Sequence, residues 1–239
     1  IIIDEKSREI RLKEIIKELD RQCQVVGVGI AGGHTTVCPN VNSPVVSVTA
    51  IGHKLRTHQK AVAGQDIVMT KHIGMSGIRT VISHKRDEIL NVLPEDVINK
   101  AFAADEELII AKEAQIFIKQ NIDGAMHDAS EGGIFAALWD MAEYSGTGLD
   151  IDLRHISVKQ EIIEICELFN INPYILDSMG CLLMTCENGC DIVNIMKQNG
   201  IEAAVIGKIT DGNNRIIHNT EEDRYFCLLY TSPSPRDTR

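Results

Sequence analysis

A chain of 239 residues with 44% hydrophobic residues and a formal net charge of −10 holds enough apolar material for one large or two small cored domains. The acidic balance argues against a nucleic-acid surface, and no apolar run approaches the ~18–20 residues of a membrane-spanning helix. Seven cysteines without a CxxC pair fit reduced cytoplasmic thiols better than a disulfide framework, and no secretory signal precedes the first helix.

In chain order, residues 5–21 read as an amphipathic helix, with Ile10, Ile15, Ile16 and Leu19 set among charges. Residues 25–31, a β-branched run broken by Gly27 and Gly29, read as a strand that leads into Gly32-Gly33-His34-Thr35. Asn40, Asn42 and Pro44 mark a loop, and residues 45–51 read as a strand. A connector over 53–65 precedes a short strand at 66–70, after which Gly74 and Gly77 open a helix. Helices are expected near 94–104, 105–120, 158–169 and 190–199. Strands are expected at 149–153, 181–186, 201–209 and 214–218. This alternation predicts an α/β or α+β architecture.

Residues 125–133, Ala-Met-His-Asp-Ala-Ser-Glu-Gly-Gly, are the most informative stretch. An apolar run ends there, an acidic turn follows, and two glycines open a helix over 131–145. Ile134, Ala137, Leu138, Met141 and Ala142 fall on one face of it, and Ser130 suits the N-cap. Two glycines in a first turn each cost roughly 0.5–1 kcal/mol relative to alanine. They suit a backbone that something approaches closely, and a phosphate at a helix N-terminus is one such group. Asp128 and Glu131 would repel a bare phosphate, so a cation-assisted or hydroxyl-binding role fits better. The plainer alternative is that His127 and Asp128 only cap and solvate the turn.

Other candidates carry the same two readings. Gly32 and Gly33 form either a bulge or tight turn or a phosphate contact, and His34 is either a surface turn residue or a ligand contact. Lys71 is either a phosphate partner or a surface charge. Asp105-Glu106-Glu107 reads as a solvated helix start, and Trp139 as packing. Cys181, Cys186 and Cys190 cluster in sequence, but Cys181 and Cys186 bracket an apolar strand and read better as buried small residues than as metal ligands.

Four stretches, in this order and spacing, resemble the PurM-like (AIR synthase-related) superfamily. They are Gly32-Gly33-His34-Thr35 with residues 42–52, residues 64–71 with Gly74 and Gly77, the 125–133 motif, and residues 204–209. The resemblance spans residues 5–226 and is strongest toward hydrogenase maturation protein HypE and its relatives. It implies a two-domain architecture: a truncated N-terminal nucleotide-binding and dimerisation domain over 1–60, then a complete C-terminal α/β domain over 61–226. It also implies a homodimer formed through the N-terminal sheet, and ATP with Mg²⁺ as cofactors. The reaction it implies phosphorylates a carbonyl-type oxygen and then displaces it. In HypE that reaction dehydrates a carbamoyl group on a C-terminal cysteine to a thiocyanate, which supplies cyanide to a nickel–iron hydrogenase centre, so another hydrogenase maturation protein is an expected partner. The residues it marks for cofactor contact are Gly32, Gly33, His34, Thr35, Lys71, His127, Asp128, Glu131, Gly132 and Gly133.

The sequence departs from the family pattern in three places. The family's main Asp-rich metal and nucleotide motif is expected upstream of Ile1. His34 stands where HypE has an aspartate, and histidine suits softer metals than Mg²⁺. No C-terminal cysteine of the HypE kind is visible, since residues 227–237 resemble an in-frame translation of a sequencing adapter and are set aside from fold reasoning. The chain thus reads as a gene fragment, inactive and poorly folded alone because the apolar runs 25–31 and 45–51 lack partners. The alternatives are a non-catalytic paralogue that binds a ligand or partner, and another enzyme of the superfamily such as AIR synthase.

Overall fold

A computed structural model describes residues 1–7, 9–57, 59–219 and 223–226; the adapter-like stretch 227–237 lies outside them. The chain divides into two compact units, Ile1–Lys54 and the remainder from Leu55.

In the first unit, β1 (Ile2–Ile3) pairs in parallel with β2 (Thr36–Val37), and Ile2 bridges Val45. Between the two strands runs α1 (Glu9–Val25). It begins four residues later than the charge pattern suggests, because Asp4 closes a turn first, accepting from Lys6 N and the Ser7 hydroxyl at 3.0 and 2.5 Å. No residue of α1 is buried. The expected strands at 25–31 and 45–51 do not form. Val28, Ile30, Val48 and Ile51 are exposed, Ile51 at 96%. β propensity describes how a side chain fits a pleated, half-buried surface, and no described residue offers these runs a ladder.

The second unit is built on a seven-stranded sheet. Its elements in chain order are β3 (Asp66–Thr70), α2 (Met75–Leu90), α3 (Glu95–Ala101), α4 (Ala111–Lys119), β4 (Met126–Ala129), α5 (Gly133–Ser145), β5 (Gly148–Asp152), α6 (Gln160–Leu168), β6 (Cys181–Cys186), α7 (Gly189–Gln198), β7 (Ala203–Thr210), β8 (Arg215–His218) and β9 (Asp223–Tyr225). The strand order is β4-β6-β3-β7-β5-β8-β9. All pairs are antiparallel except β5 with β8.

Side chains alternate across a sheet, and here both faces are covered. Cys181 and Leu183 of β6 pack with Ile134, Leu138 and Met141 of α5 on one face. Leu182, Met184 and Cys186 pack with Phe117 of α4 and Ile192 and Met196 of α7 on the other. That is why β6 is buried at every position and is apolar throughout except at Thr185, whose hydroxyl donates to Gln65 Oε1 at 2.9 Å. A third cluster joins α2, α3 and α6 through Ile78, Ile82, Ile98, Ile162 and Ile165. Burial of a side chain of this size contributes about 1.5–3 kcal/mol.

The five apolar residues expected on the inner face of α5 are the buried ones. Cys181 and Cys186 are buried strand residues, and burial pushes their thiols up to about 12 and about 11. Trp139 packs against the core. Two expectations need correction. The helix expected over 105–120 is a 3₁₀ turn (Asp105–Leu108) followed by α4; it breaks where Ile109 is extended, because Lys71 claims the Glu107 and Ile109 carbonyls. The stretch expected to be an acidic turn contains a strand, β4, whose residues pair with β6.

Candidate functional site

Because His127 and Asp128 lie in β4, their side chains leave on opposite faces of the sheet. His127 shares a face with Ala125 and Ala129, which pack under α5. Asp128 shares one with Met126, which packs toward α4. Both nonetheless border one groove beside the outer edge of β4. His127 Nδ1 lies 2.6 Å from the Asp128 carbonyl oxygen, so Nδ1 carries the proton of that bond. The Ser130 hydroxyl donates to Asp128 Oδ2 at 2.8 Å, so it is spent there and does not cap α5. The N-cap is Gly132, at φ 78°.

Gly133 follows at φ 68°, and a Cβ there would sit 2.5 Å from the Tyr174 carbonyl oxygen and 2.7 Å from that of Leu176. The group that approaches this glycine is the chain's own backbone. Phe135 N donates to Tyr174 O at 3.3 Å, and Gly133 N donates to Ser130 O at 2.9 Å. The start of α5 therefore does not present the row of bare N–H groups that a phosphate cradle requires. Glu131 is exposed and takes no bond among the described residues.

The same segment closes the start of α2. Gly77 N donates to the Asp177 carbonyl at 2.9 Å, and Gly74 N donates to the Ser178 hydroxyl at 2.9 Å. The Asp177 carboxylate accepts from the Ser76 hydroxyl and from Met179 N, which places a negative charge at the positive end of α2. Ser178 is fully buried and also donates its N–H to Ser130 O. Residues 174–179 thus run between the two helix starts. Sequence pattern marks them only by the polar pair Asp177-Ser178, two residues before the largely apolar strand β6.

Lys71 directly follows β3, at φ 55°. Its ammonium bonds Glu113 Oε1 at 2.6 Å and the Glu107 and Ile109 carbonyls at 2.9 Å each. All three donors are used. Glu113 is 2% exposed, and its Oε2 has no partner among the described residues. His72 bonds the Ser157 hydroxyl at 2.7 Å; burial lowers its pKa, and Glu202 opposes that shift. Asp105 pairs with Arg79 at 2.8 Å, and Glu107 with Lys159 at 3.4 Å, so this acidic run is more than a solvated helix start.

Gly32, Gly33, His34 and Thr35 lie in the first unit, exposed and outside any strand. Neither glycine has positive φ, and a Cβ on either would meet open space. Among the described residues, no three His, Cys, Asp or Glu side chains gather as a metal site. Mg²⁺ takes one or two carboxylates together with substrate phosphates, and the exposed Asp128 and Glu131 carboxylates are oxygen donors of that kind in the motif.

Models of known families match most of the chain. The model of the AIR synthase related protein, N-terminal domain, matches residues 1–53, and that of the C-terminal domain matches residues 62–219. A protein of Methanocaldococcus jannaschii named for hydrogenase expression and formation is 26% identical over 92% of this chain and 65% of its own. Carbamoyl dehydratase HypE of Rhizobium leguminosarum bv. viciae is 25% identical over 97% and 64%. The chain therefore spans about two thirds of the length of these relatives. Among solved structures, E. coli HypE, a hydrogenase maturation protein, matches with a TM-score of 0.75 at 20% identity, over 99% of this chain and 74% of that one. A HypE in complex with ATP matches at 0.71 and 16%, over 99% and 73%. With two matched domains in the expected order and a shared fold, the chain belongs to the AIR synthase related protein family.

Proposed function

We propose that this chain is the greater part of a HypE-like maturation enzyme that dehydrates a carbamoyl group with ATP. The observation that carries the reading is likeness over nearly the whole chain to proteins named for hydrogenase formation and carbamoyl dehydration. Dehydration of a carbamoyl group to a nitrile removes both N–H protons together with the oxygen, so the site needs a proton acceptor beside the nitrogen. Glu131 offers an exposed carboxylate with no described partner at the start of α5, and we assign it that contact. Asp128, tied to Ser130, shapes the turn. ATP is the phosphoryl donor of this reading, and the first unit is where the protein pairs with a second copy. Another hydrogenase maturation protein is the partner to expect.

The chain alone is proposed to be inactive. A version extended upstream of Ile1, given ATP, Mg²⁺ and a peptide ending in S-carbamoylcysteine, should release phosphate and form a thiocyanate, visible as a nitrile band in the infrared. Glu131→Gln should abolish the band and leave ATP binding, measured by calorimetry, in place. An extended protein that binds no nucleotide and yields no thiocyanate defeats the reading. A second reading, a binding paralogue without turnover, draws support from His34 and from the absence of a three-residue metal cluster among the described residues. If His34→Asp confers magnesium-dependent phosphate release on an otherwise silent extended protein, the second reading is the right one.

A further inference from the structure

β4 is an outer strand of the sheet, and its outer edge, unpaired among the described residues, borders a groove of about 550 Å³. Thr185 N donates to Ala125 O, and Leu182 N turns away to Thr70 Oγ1. In an antiparallel ladder the bonded pairs alternate, so Ala125, His127 and Ala129 face β6, whereas the N–H and C=O groups of Met126 and Asp128 point outward. One of those four groups, the Asp128 carbonyl, is covered by the His127 ring. The other three form a short template for an added strand.

The groove walls are apolar and acidic. Ile110 and Ala114 stand on the α4 side, and Met141 and Tyr144 on the α5 side. Asp128 lies on the α4 face and Asp140 on the α5 face; His127 also lines the groove, and no Lys or Arg is among the lining residues. Both carboxylates are exposed. The Tyr144 ring already carries one cation, with Lys60 Nζ 5.4 Å from its centroid.

We propose that the β4 edge binds an extended peptide segment with basic side chains, added as a further strand of the sheet. Alternate residues of such a strand point to opposite faces, so neighbouring lysines or arginines would meet Asp128 on one side and Asp140 on the other. Main-chain bonds supply affinity in this mode, and the side-chain pockets supply selectivity. A second copy of this acidic chain is the poorer occupant, because it would set Asp128 and Asp140 against their like.

The probe is a fluorescein-labelled six-residue peptide with two central lysines flanked by valine and threonine. Titrated with the full chain in low salt and followed by anisotropy, it should bind saturably. Lysine-to-glutamate exchange in the peptide, or N-methylation of alternate backbone amides, should weaken binding at least about tenfold. Asp128→Asn combined with Asp140→Asn should cost about tenfold. Met126→Pro removes an edge N–H that no ladder bond uses, and should cost a similar factor with the circular dichroism spectrum unchanged. Equal binding of the N-methylated peptide overturns the proposal, because it reduces the contact to charge alone. Absence of any binding overturns it too. So does self-association of the protein, seen by sedimentation, that Met126→Pro abolishes, since the occupant is then a second copy.

Discussion

Gly32-Gly33 and Gly132-Gly133 share a pattern, a glycine pair at the end of an extended run, and the structure treats them in opposite ways. At Gly132-Gly133 both residues have positive φ, and the Tyr174 and Leu176 carbonyls press on the place a Cβ would take. At Gly32-Gly33 φ is ordinary and nothing lies within 4 Å. The first pair is glycine because the fold requires it. The second has no such requirement in its own unit, so whatever makes it glycine is external to that unit's packing. A motif residue already consumed by internal contacts is a poor guide to a ligand; a motif residue with no internal duty is a better one. By that measure Gly32, Gly33 and Glu131 are the stronger functional candidates, and Lys71, Gly132 and Gly133 the weaker; the His34 carbonyl already accepts from the Ile1 ammonium at 2.7 Å.

The largest effect that tests this contrast is at Lys71. Its side chain is 16% exposed and Glu113's is 3%. Removing one partner of such a pair leaves a buried charge uncompensated, at about 3–5 kcal/mol. Lys71→Met should lower stability by that order in urea unfolding, and adding Glu113→Leu should recover much of it, since two apolar groups of similar size satisfy the site. A Lys71→Met protein of native stability would return Lys71 to the list of ligand contacts.

Next comes the glycine pair itself. Gly133→Ala combines a left-handed φ with two carbonyl contacts under 3 Å and should cost about 2–4 kcal/mol. Gly33→Ala should stay within about 0.5 kcal/mol, because the backbone there suits any residue. Thermal unfolding of the two variants side by side checks both numbers. If Gly33→Ala proves the more damaging to stability, the contrast is wrong.

How much of this was legible beforehand follows the same division. The second unit could be read closely because its elements are regular and locally encoded: the α5 stripe, the β6 run and the 66–70 strand all appear where the pattern puts them. What escaped depended on contacts distant in sequence. β4 hides because His127 and Asp128 are polar, and an edge strand tolerates polar residues. Ser130 resembles an N-cap but spends its hydroxyl two residues back. The burial of Glu113 is visible only once Lys71, 42 positions earlier, is seen to reach it. The 45–51 run has every local mark of a strand, yet beyond the Val45–Ile2 bridge no described residue pairs with it.

The smallest effect probes the far end of the sheet, opposite the β4 edge. His218 on β8 is held between Asp223 of β9, at 2.6 Å from Nδ1, and Asp150 of β5, at 2.8 Å from Nε2. The bond to Asp223, then that to Asp150, raises its pKa above 6.5. The folded protein therefore holds this proton to higher pH than the unfolded chain does. The clasp contributes fully below the unfolded value and is lost as pH rises through the raised folded value. Lys208, opposite Asp150 in register and bonded to Asp66 at 2.9 Å, is a competing cation, and its pKa is raised further by that bond. Stability should thus fall modestly from about pH 6 to pH 8, the ring being partly exposed and screened. His218→Gln should flatten that slope, and Asp223→Asn should reduce it more than Asp150→Asn does, since Asp223 is the larger cause of the shift. A pH titration of the wild type beside His218→Gln therefore isolates what this surface clasp contributes.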